Sequence, residues 1–347
     1  MIKTAINGFG KIGRIAFRVG VLNFPDEIEI VAVNTSGSMD VAGWANMLRY
    51  DSVYKKFPKE IRVENAGQEE PEIGALTIDG KRYPVLAERD PAKIPWGKYG
   101  ADVVIESTGV FTSGEAAKQH LTGGAKRVVV SAPEKGGGVS THLIGVNEYK
   151  GEGEVISNAS CTTNCVAPVA AIMNAKIGVQ KALMSTVHAV TASQETKDGS
   201  GKDLRRARSA MANMIPTTTG AADATAKVIP ELEGLFDGVA IRVPVLVGSI
   251  IDFTFVTKKP TTVEEVNNAF KSASEEPLWK NVVAVTEEPL VSSDIISRSE
   301  SAIVDLNFTR VVGGDLVKVM AWYDNEWGYS NRLIEQAISV GKQLGNA

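Results

Sequence analysis

The chain has 347 residues, of which 44% are hydrophobic and 22% charged, so its composition excludes intrinsic disorder and its length suggests two domains. A net charge of −4 without a basic block argues against nucleic-acid binding, and two cysteines are too few for a disulfide framework. No apolar run reaches the ~18 residues of a membrane span, and the first residues leave no room for a signal peptide. We therefore expect a cytoplasmic protein with neither nucleic-acid nor membrane partners.

Short apolar runs alternate with helical patterns over the first 160 residues. Strands are predicted at Thr4–Asn7, Ile28–Asn34, Asp102–Glu106, Arg127–Ser131 and Glu154–Ser157. Between the first two strands, apolar residues repeat with the period of a helix at Ile12, Ile15, Ala16 and Val19. Runs that are apolar throughout suit a parallel sheet covered on both faces. The alternation predicts an α/β fold with a doubly wound domain, and a more polar stretch from about Phe57 to Pro84 is predicted as an excursion of strands and turns.

The pattern changes after Cys161, where fewer helices separate the predicted strands. A helix is predicted over Asn164–Lys176, strands at Ala182–Val187, Val239–Pro244, Ser249–Lys258, Ala302–Phe308 and Leu316–Trp322, a polar loop from Thr191 to about Ala212, and a last helix over Tyr329–Leu344. This arrangement predicts an α+β domain with a mostly antiparallel sheet. We therefore predict a dinucleotide-binding domain over residues 1–160, completed by the C-terminal helix over 326–347, and a catalytic domain over 161–325.

The glycine-rich turn after the first strand predicts dinucleotide binding. It reads Gly8-Phe9-Gly10-Lys11-Ile12-Gly13, the G-x-G-x-x-G pattern, and it opens a helix within a β-α-β unit as that motif requires. The first glycine permits the tight turn, the second lets backbone approach a pyrophosphate, and the third lets helix and strand pack closely. A glycine turn with only a packing role is the alternative.

The acidic residue that should follow this motif is missing. NAD-binding units carry Asp or Glu ~20 residues later to hold the ribose hydroxyls, whereas this second strand ends in Asn34, Thr35 and Ser36. Without a carboxylate the 2′-phosphate of NADP is not repelled, and small hydroxyls can donate to it. The sequence therefore favours NADP acceptance, with NAD bound through other contacts as the alternative.

The run from Ser157 to Cys165 predicts a nucleophile. A strand ends there in small polar residues and a helix begins at or near Cys161. A cysteine at a helix N-terminus has a lowered pKa, because the helix dipole favours the thiolate. Cys165 lies one turn further on and is predicted to be buried and inert. A buried structural thiol is the alternative reading for Cys161.

A nucleophilic thiol needs a base, and the chain offers three histidines. His120 and His142 lie in polar surroundings, for which solvent exposure is the simplest expectation, whereas His188 ends an apolar strand where a loop begins. Strand ends are well placed for functional sites, although a structural His188 stays open. Metal-ligand spacing is absent, so no metal is expected.

Anion-binding chemistry occurs in the same half of the chain. The segment Lys202–Arg208 is basic, and Thr217-Thr218-Thr219-Gly220 precedes a helical pattern whose N-terminal amides could hold phosphate. Arg242 lies inside an apolar run, and a buried arginine needs an anionic partner. A helix cap and a solvated basic face are the alternatives.

Together these motifs resemble the phosphorylating glyceraldehyde-3-phosphate dehydrogenases, and the resemblance covers essentially the whole chain. Its most specific part is Ser157–Cys165, and Thr186–Ala189, Leu204–Arg208, Ile215–Ala221, Ala240–Pro244 and Asp324–Ser330 match as well. The resemblance implies reversible oxidation of D-glyceraldehyde 3-phosphate to 1,3-bisphosphoglycerate, with inorganic phosphate and NAD or NADP as co-substrates. It also implies a homotetramer, in which the loop after His188 lines a neighbour's cofactor site.

The resemblance also implies residue roles. Cys161 would be the nucleophile and His188 its base, and Thr191 and Arg242 would hold the substrate's own phosphate. The attacking phosphate would bind at Ser160, Thr162, Thr219, Gly220 and Arg206, with Arg205 and Arg208 close enough to leave the choice of arginine open. Beside the glycine turn, further cofactor contacts would be Arg89, Ser107, Thr108, Gly109, Ser131, Asn325 and Tyr329.

Two departures from the family pattern bear on specificity and packing. Thr35 replaces the ribose-binding aspartate of NAD-preferring members, and Ser36 and Ser200 stand where NADP-using photosynthetic members carry hydroxyl residues, which strengthens the NADP prediction. Val245–Gly248 is atypical, and we expect it to alter packing or a subunit interface but not the chemistry. An erythrose-4-phosphate dehydrogenase, a Cys-His hydrolase and a non-catalytic scaffold on the same fold are the alternatives.

Overall fold

A computed structural model describes residues 1–65, 67 and 69–345, which form two compact units. The first unit comprises Met1–His142, Glu148–Ala159 and Ser330–Ala347, and the second comprises Leu143–Asn147 and Ser160–Tyr329. Residues 66 and 68 of the predicted excursion, and residues 346 and 347 of the predicted last helix, lie outside the described residues.

The elements follow in chain order. The α-helices are α1 (Lys11–Asn23), α2 (Val41–Arg49), α3 (Gly114–Thr122), α4 (Cys161–Lys176), α5 (Ala221–Val228), α6 (Val263–Glu275) and α7 (Trp327–Lys342). The strands of the first unit are β1 (Ile2–Asn7), β2 (Ile28–Asn34), β3 (Tyr50–Asp51), β4 (Lys55–Lys56), β5 (Arg62–Glu64), β6 (Glu72–Ile78), β7 (Lys81–Leu86), β8 (Val103–Glu106), β9 (Arg127–Val130), β10 (Ser140–Thr141) and β11 (Val155–Ser157). Those of the second unit are β12 (Val179–His188), β13 (Ile215–Thr218), β14 (Phe236–Arg242), β15 (Ser249–Thr257), β16 (Val283–Thr286), β17 (Ala302–Asp305), β18 (Arg310–Val312) and β19 (Leu316–Tyr323).

The first unit is built on a nine-stranded sheet with the order β10-β11-β9-β8-β1-β2-β7-β6-β5. All neighbours from β10 to β7 pair in parallel, and only β7-β6 and β6-β5 are antiparallel. The chain order reverses at β1, which has β2 on one side and β8 on the other. In doubly wound sheets a ligand cleft opens at such a switch point, beyond the carboxyl ends of the strands.

Helix α1 packs on this sheet through the face that its sequence period predicts. Ile15, Ala16 and Val19 are fully buried, whereas Ile12, in the first turn, is half-buried. The polar excursion becomes β5, β6 and the start of β7, which together close one edge of the sheet.

The second unit is built on an eight-stranded mixed sheet with the order β13-β14-β12-β15-β19-β17-β16, and β18 pairs with β19. Two neighbour pairs, β12-β14 and β16-β17, are parallel and the others are antiparallel. Residues of β15 alternate strictly between buried and half-buried, and Phe253 and Phe255 stack 5.5 Å apart in the core. The predicted fold class, a doubly wound domain with a mostly antiparallel α+β domain, is confirmed.

Helix α4 forms much of this second core. It is apolar on nearly all sides, with eleven of its 16 residues buried, and it tolerates Pro168 in its second turn. The helix begins at Cys161, because the Ser160 hydroxyl caps it by accepting a hydrogen bond from the Thr163 amide (3.1 Å). Among the described residues, no helix is long and apolar enough to cross a membrane.

Candidate active site

The glycine turn divides its three tasks among its three glycines. Gly8 has a φ of +95°, and a side chain on Gly13 would lie 2.0 Å from the Gly8 carbonyl oxygen, so neither position tolerates a Cβ. A Cβ on Gly10 would meet nothing within 4 Å. This open space lies at the N-cap of α1, where an approaching ligand would meet backbone alone.

The first turn of α1 is suited to an anion. No side chain caps its free amides, and Gly10 is its N-cap residue. The charge of Lys11, a residue of the motif, is already paired, because its Nζ lies 2.6 Å from Asp51 Oδ2. Ile12 also belongs to this first turn, and it would contact an anion through its backbone amide only. The uncapped amides and the space at Gly10 fit the pyrophosphate of a dinucleotide.

A cavity of about 420 Å³, partly open to solvent, lies at the switch point of the first unit. It is lined by nine of the predicted cofactor residues: Gly8, Phe9, Gly10, Asn34, Thr35, Ser36, Arg89, Ser107 and Thr108. Five further lining residues, Asn7, Trp44, Glu88, Val110 and Phe111, were not predicted from the sequence. Glu88 had a usable signal, since it follows the end of an apolar strand and directly precedes Arg89.

Most hydroxyls around this cavity are engaged by the protein itself. Thr35 donates to the Leu86 carbonyl (2.9 Å), and Ser107 lies 2.9 Å from the Gly8 carbonyl and 3.0 Å from that of Asn7. Thr108 donates to Glu106 and accepts from the Val110 amide (3.1 Å). Ser36 differs, because it is exposed and its hydroxyl bonds only within its own turn, donating to the exposed hydroxyl of Ser38 (2.9 Å) and accepting from the Ser38 amide (3.4 Å).

The remaining predicted cofactor residues are divided between the two units. In the first unit, Gly109 has a φ of +74° beside the cavity loop, and the Ser131 amide donates to the Glu106 carbonyl (2.8 Å). In the second unit, Ser200 is exposed on the long loop and Tyr329 is buried in the first turn of α7.

Asn325 is buried in the second unit with its amide oriented. Its Oδ1 accepts from the Gly248 amide (3.2 Å) and the Ser249 hydroxyl (3.0 Å). Gly248 itself has a φ of +96°, and a Cβ there would lie 2.2 Å from the Ser292 carbonyl. The backbone of Gly248, in the atypical Val245–Gly248 segment, therefore contacts a predicted cofactor residue. The expectation that this segment alters packing or a subunit interface stays a prediction.

Cys161 and His188 lie together in the second unit. Cys161 is the first residue of α4 and is partly buried, and its Sγ lies 3.4 Å from His188 Nε2. His188 is the last residue of β12 and is buried, with its ring edge-on to Tyr323 (5.9 Å between centroids). Cys165 is fully buried, in agreement with its predicted inert role.

The other ring nitrogen of His188 has two neighbours. Nδ1 lies 2.6 Å from the Ala189 carbonyl, which only accepts, and 2.5 Å from Arg242 Nη1, which only donates. A protonated Nδ1 serves the carbonyl and leaves Nε2 free to accept a proton from the thiol. Arg242 Nη1 then donates to the same Ala189 carbonyl (3.2 Å) and not to the ring.

Burial sets the protonation of this pair. It lowers the pKa of His188 to about 3, aided by the positive charge of Arg242. Burial also raises the pKa of the Cys161 thiol, which the charge of Arg242 and a hydrogen bond with Thr162 only partly offset. The helix start is where the sequence predicted it, but the expected lowering of this pKa is wrong because desolvation outweighs the local charges. Both groups are consequently neutral without a ligand.

The expected solvent exposure of the other two histidines is also wrong. His120 is fully buried, with Nδ1 3.0 Å from the indole nitrogen of Trp96 and Nε2 3.0 Å from Glu106. His142 is buried against the Tyr149 ring, and its Nε2 lies 2.9 Å from the Ser140 hydroxyl. Polar sequence neighbours misled this prediction, since both side chains are buried within the first unit.

Arg242 and Thr191, the residues expected to hold the substrate's phosphate, flank the end of β12. Arg242 ends β14, pairs in register with His188, and is half-buried, which lowers its pKa. The Thr191 hydroxyl lies 2.9 Å from that of Ser193, and the Thr191 amide donates to Gln194 (3.2 Å). Ser193 was missed, although its position two residues after Thr191 in a polar loop was a signal.

The structure separates the three neighbouring arginines. Arg206 Nε donates to the Thr217 hydroxyl (2.9 Å) and Nη2 to the Thr218 carbonyl (3.3 Å). Arg205 is exposed and Arg208 pairs with Asp198, so Arg206 is the one that reaches the threonine run. That run leads to Thr219, which accepts from the Ala221 amide (3.2 Å), and to Gly220, the N-cap of α5 with open space around its Cα.

Ser160 and Thr162 flank the thiol. Ser160 caps α4, and Thr162 Oγ1 lies 3.9 Å from Cys161 Sγ and 3.2 Å from the Tyr323 hydroxyl. That hydroxyl also lies 3.0 Å from Thr186 Oγ1, so Tyr323 ties α4 to β12 beneath the thiol. Tyr323 was missed by the sequence analysis. Its signal was a tyrosine ending an apolar strand directly before Asp324 and Asn325.

This arrangement combines a nucleophile with an adjacent base and with cationic and hydroxyl groups suited to anions. A thiol 3.4 Å from a neutral imidazole can attack a carbonyl carbon once the ring accepts its proton. Within the described ranges, no three His, Cys, Asp or Glu side chains gather into a group that could hold a metal.

Comparisons with known proteins identify the family. Residues 2–114 match the family model "Glyceraldehyde 3-phosphate dehydrogenase, NAD binding domain", and residues 160–325 match "Glyceraldehyde 3-phosphate dehydrogenase, C-terminal domain". The chain is 50% identical over 338 residues to a glyceraldehyde-3-phosphate dehydrogenase of Thermotoga maritima, covering 96% of this chain and 98% of that one. It is 48% identical over 346 residues to that of Streptomyces coelicolor (99% of each chain), and 44% identical over 346 residues to the chloroplastic glyceraldehyde-3-phosphate dehydrogenase B of Pisum sativum (99% of this chain, 74% of that one). With a nicotinamide-binding domain and a thiol–imidazole pair in a matching C-terminal domain, the chain belongs to the glyceraldehyde-3-phosphate dehydrogenase family of oxidoreductases.

Proposed function

We propose that this enzyme oxidises D-glyceraldehyde 3-phosphate to 1,3-bisphosphoglycerate through a covalent intermediate on Cys161. The observation that carries the proposal is the 3.4 Å approach of Cys161 Sγ to His188 Nε2. The cationic and hydroxyl groups of the second unit support two phosphate positions. Thr191 and Arg242 would hold the substrate's phosphate, and Ser160, Thr162, Thr219, Gly220 and Arg206 the attacking phosphate.

The first step forms a thiohemiacetal. Cys161 Sγ attacks the aldehyde carbon while His188 Nε2 takes the thiol proton, and the carbonyl oxygen becomes a hydroxyl when the imidazolium returns this proton. Amides at the start of α4 and the imidazolium face the developing negative oxygen and stabilise it. Arg242, bound to the substrate's phosphate, holds the aldehyde carbon near the sulfur.

The second step oxidises this intermediate to a thioester. His188 Nε2 removes the proton of the hydroxyl as the hydride leaves the same carbon, so the carbon loses two electrons and one proton goes to the ring. A bound nicotinamide supplies the hydride acceptor. Asn325, whose Oδ1 accepts from Gly248 and Ser249, would orient the nicotinamide's carboxamide through the remaining Nδ2 donor.

The third step releases the product. A phosphate oxygen attacks the thioester carbon, the bond from carbon to Cys161 Sγ breaks, and the sulfur leaves as thiolate and recovers the proton from His188. Arg206 and the Thr217–Gly220 run would orient this phosphate and exclude water from the same carbon. Attack by phosphate conserves, as an acyl phosphate, the free energy that hydrolysis would release.

We propose further that the enzyme accepts NADP as well as NAD. A dinucleotide would lie with its pyrophosphate at Gly10 and the first turn of α1, and with its adenosine ribose toward the end of β2. Thr35 supplies no carboxylate there, and its hydroxyl is already donated to Leu86. Ser36, Ser38 and Arg89 offer hydroxyls and a positive charge to a 2′-phosphate, with Ser200 of the long loop as the further expected contact.

The proposed domain roles follow the two units. The first would bind the cofactor and the second would carry the thiol, base and phosphate groups. The predicted division after residue 160 is supported by the unit boundary at Ala159–Ser160 and by a C-terminal family match that begins at residue 160.

The reaction is tested by measuring oxidation of glyceraldehyde 3-phosphate with NAD⁺ and NADP⁺ in parallel, each with and without inorganic phosphate. Phosphate-dependent turnover is expected with both cofactors. The proposed substrate would be overturned by turnover whose rate does not depend on phosphate, together with faster oxidation of erythrose 4-phosphate than of glyceraldehyde 3-phosphate. Turnover with NAD⁺ alone would keep the reaction and overturn the cofactor proposal.

The cofactor contacts are tested with Arg89→Leu. If Arg89 binds the 2′-phosphate, this variant raises the KM for NADP⁺ by about tenfold, equivalent to ~1.4 kcal/mol, and leaves the KM for NAD⁺ nearly unchanged. Equal effects on both cofactors would contradict this role. Arg62→Leu, at an exposed arginine of β5 that does not line the cavity, is the matched control.

A further inference from the structure

A buried line of hydrogen bonds runs beneath the dinucleotide cavity, across the carboxyl ends of four adjacent parallel strands. Its members are Glu106 at the end of β8, Asn7 at the end of β1, Asn34 at the end of β2, the Glu88 backbone just after β7, and His120 with Trp96 behind Glu106. Asn7 pairs in register with both Glu106 and Asn34. The side chains of Asn7, Asn34, Glu106, His120 and Trp96 are all buried.

At one end of the line, Trp96 determines which atom donates and which accepts in each hydrogen bond. An indole nitrogen only donates, so His120 Nδ1 accepts its hydrogen bond (3.0 Å). The neutral ring then carries its proton on Nε2, which donates to Glu106 Oε2 (3.0 Å). The tautomer of His120 thus follows from its neighbours.

The other end is fixed by a backbone amide. The Glu88 amide donates to Asn34 Oδ1 (3.0 Å), so Asn34 Nδ2 donates to Asn7 Oδ1 (2.7 Å). Asn7 must then donate from Nδ2, and it does so to Glu106 Oε2 (2.5 Å). From both ends of the line, successive residues therefore donate toward the Glu106 carboxylate, which accepts the last hydrogen bond from each side.

The second oxygen of this carboxylate holds the cavity wall. Glu106 Oε1 accepts from the Thr108 amide (2.7 Å) and from the Thr108 hydroxyl. Thr108 packs directly on the glycine turn, since a Cβ on Gly8 would lie 2.7 Å from its amide nitrogen. Asn7, Asn34, Glu88 and Thr108 all line the cavity, so Glu106 connects two of its lining residues, Asn7 and Thr108, directly.

We propose that Glu106, His120 and Trp96 are positioning residues that set the affinity of the cavity for the adenosine part of the cofactor. They touch no ligand themselves, but they fix the amides of Asn7 and Asn34 and the loop at Thr108 that do line the cavity. The proposal rests on the cofactor-binding role given to this cavity above. It predicts a change in cofactor affinity with the thiol chemistry, which belongs to the second unit, left intact.

The test compares His120→Phe with His120→Gln. Phenylalanine keeps an aromatic ring but removes both nitrogens, so Glu106 loses a donor and Trp96 an acceptor. A glutamine amide carries one acceptor and one donor and can restore both bonds. We expect the Kd for ADP and the KM for the dinucleotide to rise about tenfold in His120→Phe, equivalent to ~1.4 kcal/mol, and to recover in His120→Gln.

The matched control is His142→Phe. His142 is the other buried histidine of the first unit, and its ring also packs edge-on against an aromatic residue but lies outside the line. This variant should leave the Kd for ADP within twofold of the wild type. The KM for glyceraldehyde 3-phosphate should stay unchanged in all three variants.

Three results would overturn the proposal: unchanged ADP binding in His120→Phe, an equal loss in His142→Phe, or no recovery in His120→Gln. Should His120→Phe fail to fold, Glu106→Gln replaces it, because glutamine keeps the size and presents a donor where the line needs an acceptor. ADP binding needs no catalysis, so an enzyme that binds ADP normally but does not oxidise glyceraldehyde 3-phosphate would refute the proposed reaction and leave this inference standing.

Discussion

Two cysteines one helical turn apart differ because only one of them meets a base. Cys161 begins α4 and faces His188, whereas Cys165 is fully buried in the core of the second unit. Burial raises the pKa of both thiols, so neither is activated by position alone. What distinguishes Cys161 is a neutral imidazole that can take its proton at the moment of attack.

This difference predicts opposite results for two serine variants. Cys161→Ser should lower turnover at least ~10³-fold, because an alcohol is a far poorer nucleophile for this neighbouring base to activate. Cys165→Ser should keep turnover within a few fold, at some loss of stability. Steady-state rates with saturating cofactor and phosphate measure both, and normal turnover in Cys161→Ser would refute the covalent mechanism.

His188 links stability to pH. Its pKa is about 3 in the folded protein and ~6.5 in an unfolded chain, so the unfolded chain binds a proton first as the pH falls. The stability that neutral His188 contributes is therefore fully present above pH ~6.5 and is lost as the pH falls toward about 3, by up to ~1.4 kcal/mol per pH unit.

We expect the free energy of unfolding in urea to fall less steeply with decreasing pH in His188→Gln than in the wild type. A glutamine has no proton to gain, so its variant lacks this contribution to the slope. Unfolding series between neutral pH and pH ~4.5 measure the two slopes. Parallel slopes would mean that His188 titrates alike in the folded and unfolded chains.

At the scale of elements, the glycine turn separates packing from ligand approach. A Cβ on Gly13 would lie 2.0 Å from the Gly8 carbonyl, whereas one on Gly10 would meet nothing within 4 Å. Gly13→Ala should thus lower the free energy of unfolding by ~1–3 kcal/mol. Gly10→Ala should change it by only ~0.5 kcal/mol or less, yet raise the Kd for ADP-ribose about tenfold.

Urea unfolding and calorimetric titration with ADP-ribose measure these two effects. The pair forms its own control, because both variants add the same methyl group within one turn. If Gly10→Ala bound ADP-ribose like the wild type, the space at Gly10 would not be the pyrophosphate position.

Sequence periodicity was sufficient to predict those helices and strands whose bounds depend mainly on neighbouring residues in the sequence. The strand Ile28–Asn34 was predicted to the residue, and the helix after the glycine turn packs through the predicted face. Strands whose ends depend on tertiary pairing were less well predicted. β12 runs from Val179 to His188 because it pairs on both sides, with β14 and β15, whereas only Ala182–Val187 reads as apolar.

The site could be predicted where a motif is contiguous and not where contacts cross the fold. The run around Cys161 and the end of β12 were recognisable in the sequence. The choice of Arg206 over its two neighbours depended on the Thr217 hydroxyl, eleven residues away. The burial of His120 depended on Glu106 and Trp96, which no local pattern connects to it. Contacts of this kind, between residues far apart in the sequence, can be identified only from the three-dimensional structure.

At the scale of the whole molecule, the second unit exposes an apolar groove suited to association. Met214, Pro216, Val239 and Ile241 line it, with Asp203 and Arg205 among its polar residues. Val239 is 51% exposed and Met214 76%. Adjoining exposed apolar side chains mark association surfaces, and symmetric self-association is the usual form. The homotetramer that the family resemblance implies stays a prediction, and we propose this groove as one of its contact surfaces.

We therefore expect the wild type to behave in solution as four copies of the 37.0 kDa chain, ~148 kDa. Val239→Lys should dissociate it, because a lysine would have to bury its charge against the apolar groove of a neighbouring copy. Val312→Lys is the matched control, since Val312 is a similarly exposed valine (63%) on the short strand β18, away from the groove. Light scattering coupled to size exclusion measures the masses. A tetramer that survives Val239→Lys would exclude this groove from the interface. Because a neighbour's loop is expected to contribute to cofactor binding, dissociation should also weaken NADP binding in Val239→Lys. The control Val312→Lys should bind NADP like the wild type.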